Sequence, residues 1–499
     1  MASTRGSIQS LGRTAPPYPT PRLHDLQRRF VEAQKCSAWP DLIQQHYLPS
    51  PDLEELTSIE YVRGVVEEDQ AIDPAGKGLC VERIYRESRV FFAIFVYWGM
   101  PISRFRDRRY IDAYLWLSGD ELARLEDTRI IFELQTWCLP TTRRMFLVPT
   151  FSFQADHQEL LPDAIMPFRS MTKIGEGHFS KVYRIDFEPR HLTRVSVCFE
   201  SLSFRIWLAK IIYKGPTKPI ALKLITPQTT GGRFQTADLA SNEIWLLREL
   251  RGISHPHIIE LLDSFQRGKE FGLFFPLASC NLETYTKRTP PSGDGEYASW
   301  LASQIFGLAN ALATIHGDEE RSSSHNDLRP RNILFFPDEN KPATLPGVLK
   351  IADFGQARSR VREMSGPTPS VILQQEVHAK ANDMWWFGYI VLELLTWFQL
   401  GRIERRSLRI LADQFYYAGQ QEEFGWDHCT RGYVERLRRS ANMCQVLKSI
   451  LTVIDSTLLR RKREVRWNAA RLSAYFNSIT EQGSENRIFM KYLPYLKSI

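Results

Sequence analysis

The stretch HNDLRPRNIL, residues 325–334, decides the fold of this chain. It places a carboxylate, Asp327, and an amide, Asn332, five residues apart ahead of an apolar run. The first group can orient a hydroxyl, and the second can bind a divalent cation without adding negative charge. A further apolar run, LKIADFG (349–355), includes Asp353, a hard oxygen ligand of the kind Mg²⁺ prefers. The pattern predicts chemistry on a phosphate group.

Two glycines interrupt a strand-like stretch upstream. TKIGEGHFSKVYRIDF (172–187) alternates in polarity, breaks at Gly175 and Gly177, and alternates again, which predicts a strand–turn–strand unit. Glycines at such a turn let backbone amides approach a phosphate without a clash. Hairpins also use glycine for twist alone, so the turn by itself leaves both interpretations open.

A lysine lies in the next apolar strand. Lys223 in IALKLI (220–225) needs an anionic partner, unless its stem extends to solvent. Glu243, on the amphipathic stretch DLASNEIWLLRELRG (238–252), could be that partner. Gly252 is the predicted C-cap of this helix.

Seven motifs in this order resemble the eukaryotic protein kinase domain, of the Ser/Thr type. They are IGEGHFSKV, IALK, SNEIWLL, HPHII, HNDLRPRNIL, IADFG and DMWWFG, within residues 168–480. The resemblance implies an α+β, bilobal fold. A small β-rich lobe would occupy 168–278, with an insertion at about 186–218, and a larger helical lobe would occupy 279–495.

The resemblance also implies roles for the polar residues. Asp327 would orient the substrate hydroxyl and accept its proton, and Arg329 would steady the γ-phosphate. Lys223 would contact the α- and β-phosphates of ATP while paired with Glu243. The Mg²⁺ ligands would be Asn332 and Asp353.

A nucleotide site follows from the same resemblance. The implied ATP-binding residues are Ile174, Gly175, Gly177, Val182, Ala221, Lys223, Glu243, Leu277, Ala278 and Leu334. Of these, Val182, Ala221 and Leu334 would enclose the adenine, and the backbone near Leu277 and Ala278 would hydrogen-bond its edge. Phe275 would guard the pocket behind it. The implied cofactors are ATP and Mg²⁺, and the implied partner is a protein substrate.

Two departures from the family pattern bear on regulation and substrate docking. Asn326 replaces an arginine that often clamps a phosphorylated loop, which argues against switching by loop phosphorylation. VILQQEV (371–377) stands where an Ala-Pro-Glu element is usual, with Glu376 as a candidate acid for pairing with Arg466. The most apolar helix is expected to open afterwards, at NDMWWFG (382–388).

The apolar segment RVSVCFESLSFRIWLAKIIYKG (194–215) has no counterpart in the family. It is either an insertion packed on the small lobe or a short intron retained in frame. Both interpretations stay open.

These features favour a Ser/Thr protein kinase. One alternative is a pseudokinase that binds nucleotide or docks partners without transfer. The other is a small-molecule phosphotransferase of the same superfamily.

Composition indicates the class of protein and the compartment in which it is expected. The 499 residues are 43% hydrophobic and 24% charged, typical of a globular protein, and a net charge of +7 is too small to indicate nucleic acid. Seven scattered cysteines without CxxC spacing favour a reducing compartment, so we expect an intracellular location, cytoplasmic or nuclear. Apolar runs at 90–100 and 385–398 fall short of the ~20 residues that span a bilayer and predict buried helices.

The region before the kinase-like motifs carries no catalytic constellation. Residues 1–22 are rich in Pro, Ser and Thr and are expected to be disordered. Residues 23–165 are mostly helical in pattern, for example at 24–34 and 120–137. They loosely resemble the helical accessory segment that precedes many fungal kinase domains. A partner surface on this region is one interpretation.

Overall fold

The chain combines helices with mixed β-sheet, which confirms the predicted α+β class. A computed structural model describes residues 19–39, 45–107, 110–116, 142–154, 156–177, 180–192, 218–226, 236–291, 295–318, 321–338, 347–359, 369–417, 426–440 and 443–484. The predicted helix at 120–137 and most of the predicted insertion, residues 193–217, lie outside the described residues.

The N-terminal region is mostly helical where it is described. Its elements are α1 (Pro21–Ala33), β1 (Lys35–Cys36), β2 (His46–Tyr47), α2 (Ser50–Leu56), α3 (Ile59–Glu68), α4 (Pro74–Glu87), α5 (Arg89–Trp98), α6 (Arg104–Asp107), a 3₁₀ turn (Asp112–Trp116) and α7 (Arg143–Phe146). Helix α1 begins at Pro21 behind the N-cap Thr20, so the last two residues of the stretch expected to be disordered are helical. The predicted buried helix near 90–100 is α5, whose Phe91, Phe92 and Phe95 are buried.

A six-stranded sheet follows. Its strands are β3 (His157–Leu160), β4 (Phe168–Glu176), β5 (Ser180–Phe187), β6 (Ile220–Ile225), β7 (Asp263–Arg267) and β8 (Glu270–Pro276), in the order β3-β7-β8-β6-β5-β4. Only the β3–β7 pair is parallel within this sheet. Val182 on β5 pairs with Lys223 on β6, so the strands on either side of the insertion are adjacent. A boundary at 165–168 would separate β3 from the sheet to which it belongs.

Helix α8 (Thr236–Ile253) lies between β6 and β7 in the sequence, and the helical part follows β8. The remaining elements are β9 (Cys280–Asn281), α9 (Leu282–Arg288), α10 (Gly295–His316), β10 (Ser323–Ser324), β11 (Ile333–Phe336), β12 (Val348–Ile351), β13 (Arg358–Ser359), α11 (Pro369–Leu400), α12 (Arg402–Tyr417), α13 (Trp426–Arg438), α14 (Gln445–Val453) and α15 (Ala469–Ser484). Helices α10 and α11 supply much of the core, including Leu301, Ile305, Tyr389 and Trp397.

The prediction for the end of α8 was wrong. Gly252 remains within the helix, which ends at Ile253. Ser254 takes the left-handed conformation instead, with φ of 51°. Its amide donates to the Arg251 carbonyl at 3.0 Å, so the chain turns two residues later than glycine placement predicts.

Helix α11 also begins earlier than predicted. It starts at Pro369 and runs without a break to Leu400, through the stretch where an Ala-Pro-Glu element was expected. The segment that precedes Asp383 is therefore helical.

One helix among the described residues, α10, is long and apolar enough to cross a membrane by length and composition. Of its most apolar window, 78% is buried inside the fold. Such burial is typical of a core helix.

Candidate active site

Three charged groups meet beside the central strand of the sheet. Lys223 Nζ lies 2.7 Å from both carboxylate oxygens of Glu243 on α8. It also lies 2.8 Å from Oδ1 of Asp353, just after β12. Lysine and glutamate side chains are 10% and 1% exposed, whereas the Asp353 side chain is 47% exposed. The lysine–glutamate pair is thus buried, whereas the Asp353 carboxylate is accessible to solvent.

Lys223 and Asp353 stabilise each other's charged forms, whereas burial raises the pKa of Glu243. Burial alone would lower the pKa of Lys223, but the carboxylates of Asp353 and Glu243 raise it above the ordinary lysine value. The Lys223 ammonium in turn lowers the pKa of Asp353 to about 2. At neutral pH the lysine is therefore a cation and Asp353 an anion.

Local backbone geometry brings Asp353 to this point. Its φ of 67° is left-handed, which is uncommon for a residue with a side chain. A Cβ added to Gly355 would lie 3.4 Å from both Asp353 Oδ1 and Glu243 Oε2. Gly355 thus lies directly beside the triad, at ordinary contact distance.

His325 links the loop of Asp327 to the strand that precedes Asp353. It is fully buried, and its Nε2 lies 3.1 Å from the Ala352 carbonyl, which can only accept a hydrogen bond. Nε2 therefore carries the proton. Nδ1 is then free to accept the amide of Asp327, at 3.3 Å.

Asn332 and Arg329 both hold the Asp327 side chain. Asn332 Nδ2 donates at 2.8 Å to Asp327 Oδ2 and at 2.8 Å to the Asp327 carbonyl. Arg329 Nε lies 3.4 Å from Asp327 Oδ1. Because the amide nitrogen of Asn332 faces Asp327, its amide oxygen is turned away from that residue.

The oxygen ligands that the chain offers fit a cation that is bound together with phosphate. Asn332 and Asp353 offer one amide oxygen and one open carboxylate. The described residues contain no group of three or more His, Cys, Asp or Glu side chains able to hold a metal. Mg²⁺ commonly takes one or two protein ligands together with water and phosphate oxygens, so this small set is sufficient.

The predicted nucleotide residues lie along the same strands. Ala221 pairs with Phe275 and Lys223 pairs with Val182, and directly paired residues share a face of the sheet. Ala221 and Lys223 alternate with the buried Leu222, so Phe275 lies on the same face as the lysine.

The turn that contains Gly175 and Gly177 is short. Gly177 donates its amide to the Ser180 carbonyl at 2.7 Å, and Gly175 pairs with Val182. The side chain of Ile174 is 53% exposed. His178 and Phe179, which follow Gly177 in the sequence, lie outside the described residues.

The remaining residues predicted for the adenine site lie where the sheet meets the helical part. Leu277 and Ala278 are half-buried between β8 and β9. Strand β9 pairs with β11, where Leu334 lies opposite Asn281. The predicted set is thus distributed over adjoining strands.

Sequence reasoning missed Asp383 as a site residue. It was noted only as the start of an apolar helix, yet it is 1% exposed and contacts three groups near Asp327. Its Oδ2 accepts the His325 amide at 2.7 Å and lies 3.0 Å from His316 Nε2, and its Oδ1 accepts the Asn326 amide at 2.9 Å. The signal was present in DMWWFG, an acid directly before a strongly apolar run.

Asn326, in the place of the usual arginine, makes local contacts. Its φ is 63°, and its Nδ2 donates at 3.1 Å to both Ser324 Oγ and the Gln356 carbonyl. The Asn326 side chain thus links the segment of Ser324 to the segment of Gln356.

The acid predicted in the 371–377 stretch has a different partner from the one expected. Glu376 Oε1 lies 3.2 Å from Lys380 Nζ, one turn along α11. Arg466 Nη1 instead donates to the Ala381 carbonyl at 3.1 Å. Each side chain therefore stabilises α11 by a separate contact.

Comparison with known proteins agrees with this geometry. The family model described as the protein kinase domain matches residues 208–457, a span that begins after the glycine turn. Cyclin-dependent kinase F-4 of Oryza sativa subsp. japonica is 31% identical over 160 residues, which are 30% of this chain and 31% of that relative. The chain thus matches about a third of the length of this curated relative.

Proposed function

Since the chain belongs to the protein kinase family, we propose that it transfers the γ-phosphoryl group of Mg-ATP to a Ser or Thr hydroxyl of a protein. The observation that carries the proposal is the meeting of Lys223, Glu243 and Asp353 within 2.8 Å contacts. The acceptor residue type is supported by Pro330 in the DLRP sequence, which resembles the Ser/Thr pattern.

The chain would bind ATP through fixed charges. Lys223 would keep Glu243 and exchange Asp353 for a phosphate oxygen, because the ammonium is held from the buried side. Asp353 and Asn332 would hold the cation, which neutralises phosphate charge when bound. The nucleotide residues from Ile174 to Leu334 would enclose the base and sugar.

Asp327 would orient the attacking hydroxyl. Its Oδ2 is fixed by Asn332 Nδ2, and its backbone amide by His325 Nδ1. A carboxylate held in this way can accept the hydroxyl proton at Oδ1 or Oδ2 as the hydroxyl oxygen bonds to the γ-phosphorus, the bond from that phosphorus to the bridging oxygen breaks, and ADP leaves. Arg329, beside Oδ1, would steady the γ-phosphate. Catalysis would depend mainly on positioning and on charge neutralisation.

We propose the bilobal arrangement with a small lobe at 168–278, to whose sheet β3 adds one strand, and a larger lobe at 279–495. The N-terminal region at 23–165 is proposed to offer a partner surface as well. A location in the cytoplasm or nucleus follows from the scattered cysteines.

One observation favours the pseudokinase as a second candidate. Helix α11 is continuous from Pro369, through the place where the family docks a peptide. A chain with this feature could bind nucleotide and dock partners without transferring phosphate.

The test is transfer of labelled γ-phosphate from Mg-ATP by the purified full chain, to itself and to a generic Ser/Thr substrate. Asp327→Asn is the inactive reference. Asp238→Asn, the same change at an exposed carboxylate on α8, is the matched control. We expect labelling by the wild type and by Asp238→Asn, and none by Asp327→Asn. Nucleotide binding without labelling by any variant would favour the pseudokinase.

A further inference from the structure

A short segment of the N-terminal region is built into the sheet, on the face that carries Phe187 and Phe274. We call residues 151–154 and 156–160 the strap. Its Phe151 and Phe153 are almost fully buried, with Phe153 packed 5.6 Å from Phe187 and 6.2 Å from Phe274, ring centre to ring centre. Its C-terminal end is β3, which pairs with β7. The strap is therefore anchored along its length.

Phe153 is held on both sides of its backbone. Its φ of 56° is left-handed, a strained conformation that persists only where neighbours over-determine it. Its amide donates to Asp263 Oδ2 at 3.2 Å, and its carbonyl accepts from Arg251 Nη2 at 2.9 Å. The Ser152 amide donates to the same Asp263 oxygen at 3.3 Å.

Arg251 connects the strap to the helix that carries Glu243. It lies in the last turn of α8, and its side chain is 10% exposed. Nη1 donates to the Leu261 and Leu262 carbonyls at 3.1 and 3.2 Å, and Nε lies 3.3 Å from Glu260 Oε1. One guanidinium thus joins α8, the chain leading into β7, and the strap.

The position of α8 determines whether the Glu243 carboxylate can contact Lys223. Arg251 follows Glu243 by eight positions, about 12 Å along the helix axis, so both belong to one rigid helix. A shift of the C-terminal end would move the carboxylate out of its 2.7 Å contact with Lys223. A cation at the end of a helix is also favoured by the helix dipole.

We propose that Arg251 is a positioning residue for phosphoryl transfer, through which the strap sets the contact between Glu243 and Lys223. The proposal rests on the proposed kinase activity. It makes the N-terminal region a structural part of the catalytic unit.

A double-mutant cycle tests this coupling in the full chain. The variants are Arg251→Met, Glu243→Gln and the pair, with kcat, KM for ATP and Kd for Mg-ADP measured for each. Arg248→Met, an exposed arginine one turn earlier on α8, is the matched control. If Arg251→Met does not fold, Arg251→Lys replaces it, since lysine keeps the charge but lacks the forked contact.

We expect Arg251→Met to lower kcat/KM by about 10- to 100-fold with Glu243 present, and by less than about 2-fold in the Glu243→Gln background. Arg251→Lys should give a smaller loss of the same pattern, and Arg248→Met none. Equal losses in both backgrounds, or no loss, would overturn the proposal. If the wild type transfers no phosphate, the kinase proposal fails, and the same cycle in Kd for Mg-ADP then decides the positioning role.

Discussion

The backbone amide of His325 donates a 2.7 Å hydrogen bond to the carboxylate of Asp383, a residue fifty-eight positions further along the chain. The same carboxylate accepts the amide of Asn326 at 2.9 Å. These bonds are shielded from water because Asp383 is 1% exposed. The loop that carries Asp327 is thus fixed to α11, and the placement of the Asp327 carboxylate depends on a buried side chain outside the proposed catalytic set.

Replacement of Asp383 by alanine should therefore reduce both stability and transfer. The buried amide of His325 would lose its acceptor, which costs about 1–3 kcal/mol, and the part-buried amide of Asn326 would lose its acceptor at a smaller cost. Displacement of Asp327 by about 1 Å should slow transfer roughly 100-fold. Urea unfolding and kcat would measure the two effects. Asp455→Ala, which removes a surface pair with Arg438, should change stability by less than about 1 kcal/mol. A similar result for both variants would contradict the anchoring role.

Lys223 controls the titration of Asp353. The pKa of Asp353 is about 2, chiefly because of the lysine, against an ordinary value near ~3.9. A lowered acid pKa stabilises the fold above the unfolded value, and this stabilisation is lost as pH falls from about 4 towards 2.

Lys223→Met should raise the pKa of Asp353 towards its ordinary value and flatten the acid limb of stability between pH 2 and 4. It should also slow transfer by about 100-fold or more, because a charged group that faces the phosphates is removed. Carbon-13 NMR of the aspartate carboxyl would follow the titration. The control is Lys181→Met, at an exposed position on β5. An unchanged Asp353 titration in Lys223→Met would refute the pairing.

Asp263 should make stability fall between mildly acidic and neutral pH. Burial, together with the nearby Asp156, raises its pKa to about 7, while the amides of Phe153, Ser264 and Ser152 act in the opposite direction. The folded state then holds a proton that the unfolded state releases near pH ~4. Stability therefore decreases as pH rises from about 4 to 7, by on the order of 2–4 kcal/mol.

Asp263→Asn should abolish this dependence, because the amide oxygen still accepts but no longer titrates. Unfolding in urea from pH 4 to 8 would measure it. Asp156→Asn serves as a second variant, since it removes only the neighbouring charge and should lower the pKa of Asp263. Identical pH profiles for wild type and Asp263→Asn would show that the carboxyl does not titrate in this window.

The Lys223–Glu243 pair was predictable from sequence, because Lys223 lies in a strand too apolar to hold a charge without a partner and Glu243 follows on an amphipathic stretch. Their 2.7 Å contact agrees with that expectation. Asp353 was expected only as a Mg²⁺ ligand, and its 2.8 Å contact with Lys223 was not predicted. The roles of these residues in catalysis stay predictions.

The strap was not predictable, because nothing local marks it. Ser152 and Phe153 meet Asp263 across more than one hundred positions, and Phe153 takes a left-handed conformation that sequence assigns to glycine. Likewise, Gly252 was expected to end α8, but packing carries that helix on to Ile253. Tertiary contacts decided each case over local propensity.

The start of α11 at Pro369, earlier than predicted, can be tested by a proline substitution in its first turns. Val377 is 56% exposed within the segment expected to be irregular, so a proline there meets little steric resistance from other elements. In a helix, however, proline removes a backbone bond and clashes with the preceding turn, at a cost of about 3 kcal/mol. Val377→Pro should therefore lower the free energy of unfolding by about 1–3 kcal/mol, since the first two turns can separate from the rest. Amides at 374–382 should then exchange faster, as the Glu376–Lys380 contact loosens.

Val377→Ala is the matched control, expected within about 0.5 kcal/mol of wild type. A proline variant as stable as the alanine variant, with unchanged exchange, would mean that this segment is not helical and that the peptide-docking loop of the family is retained.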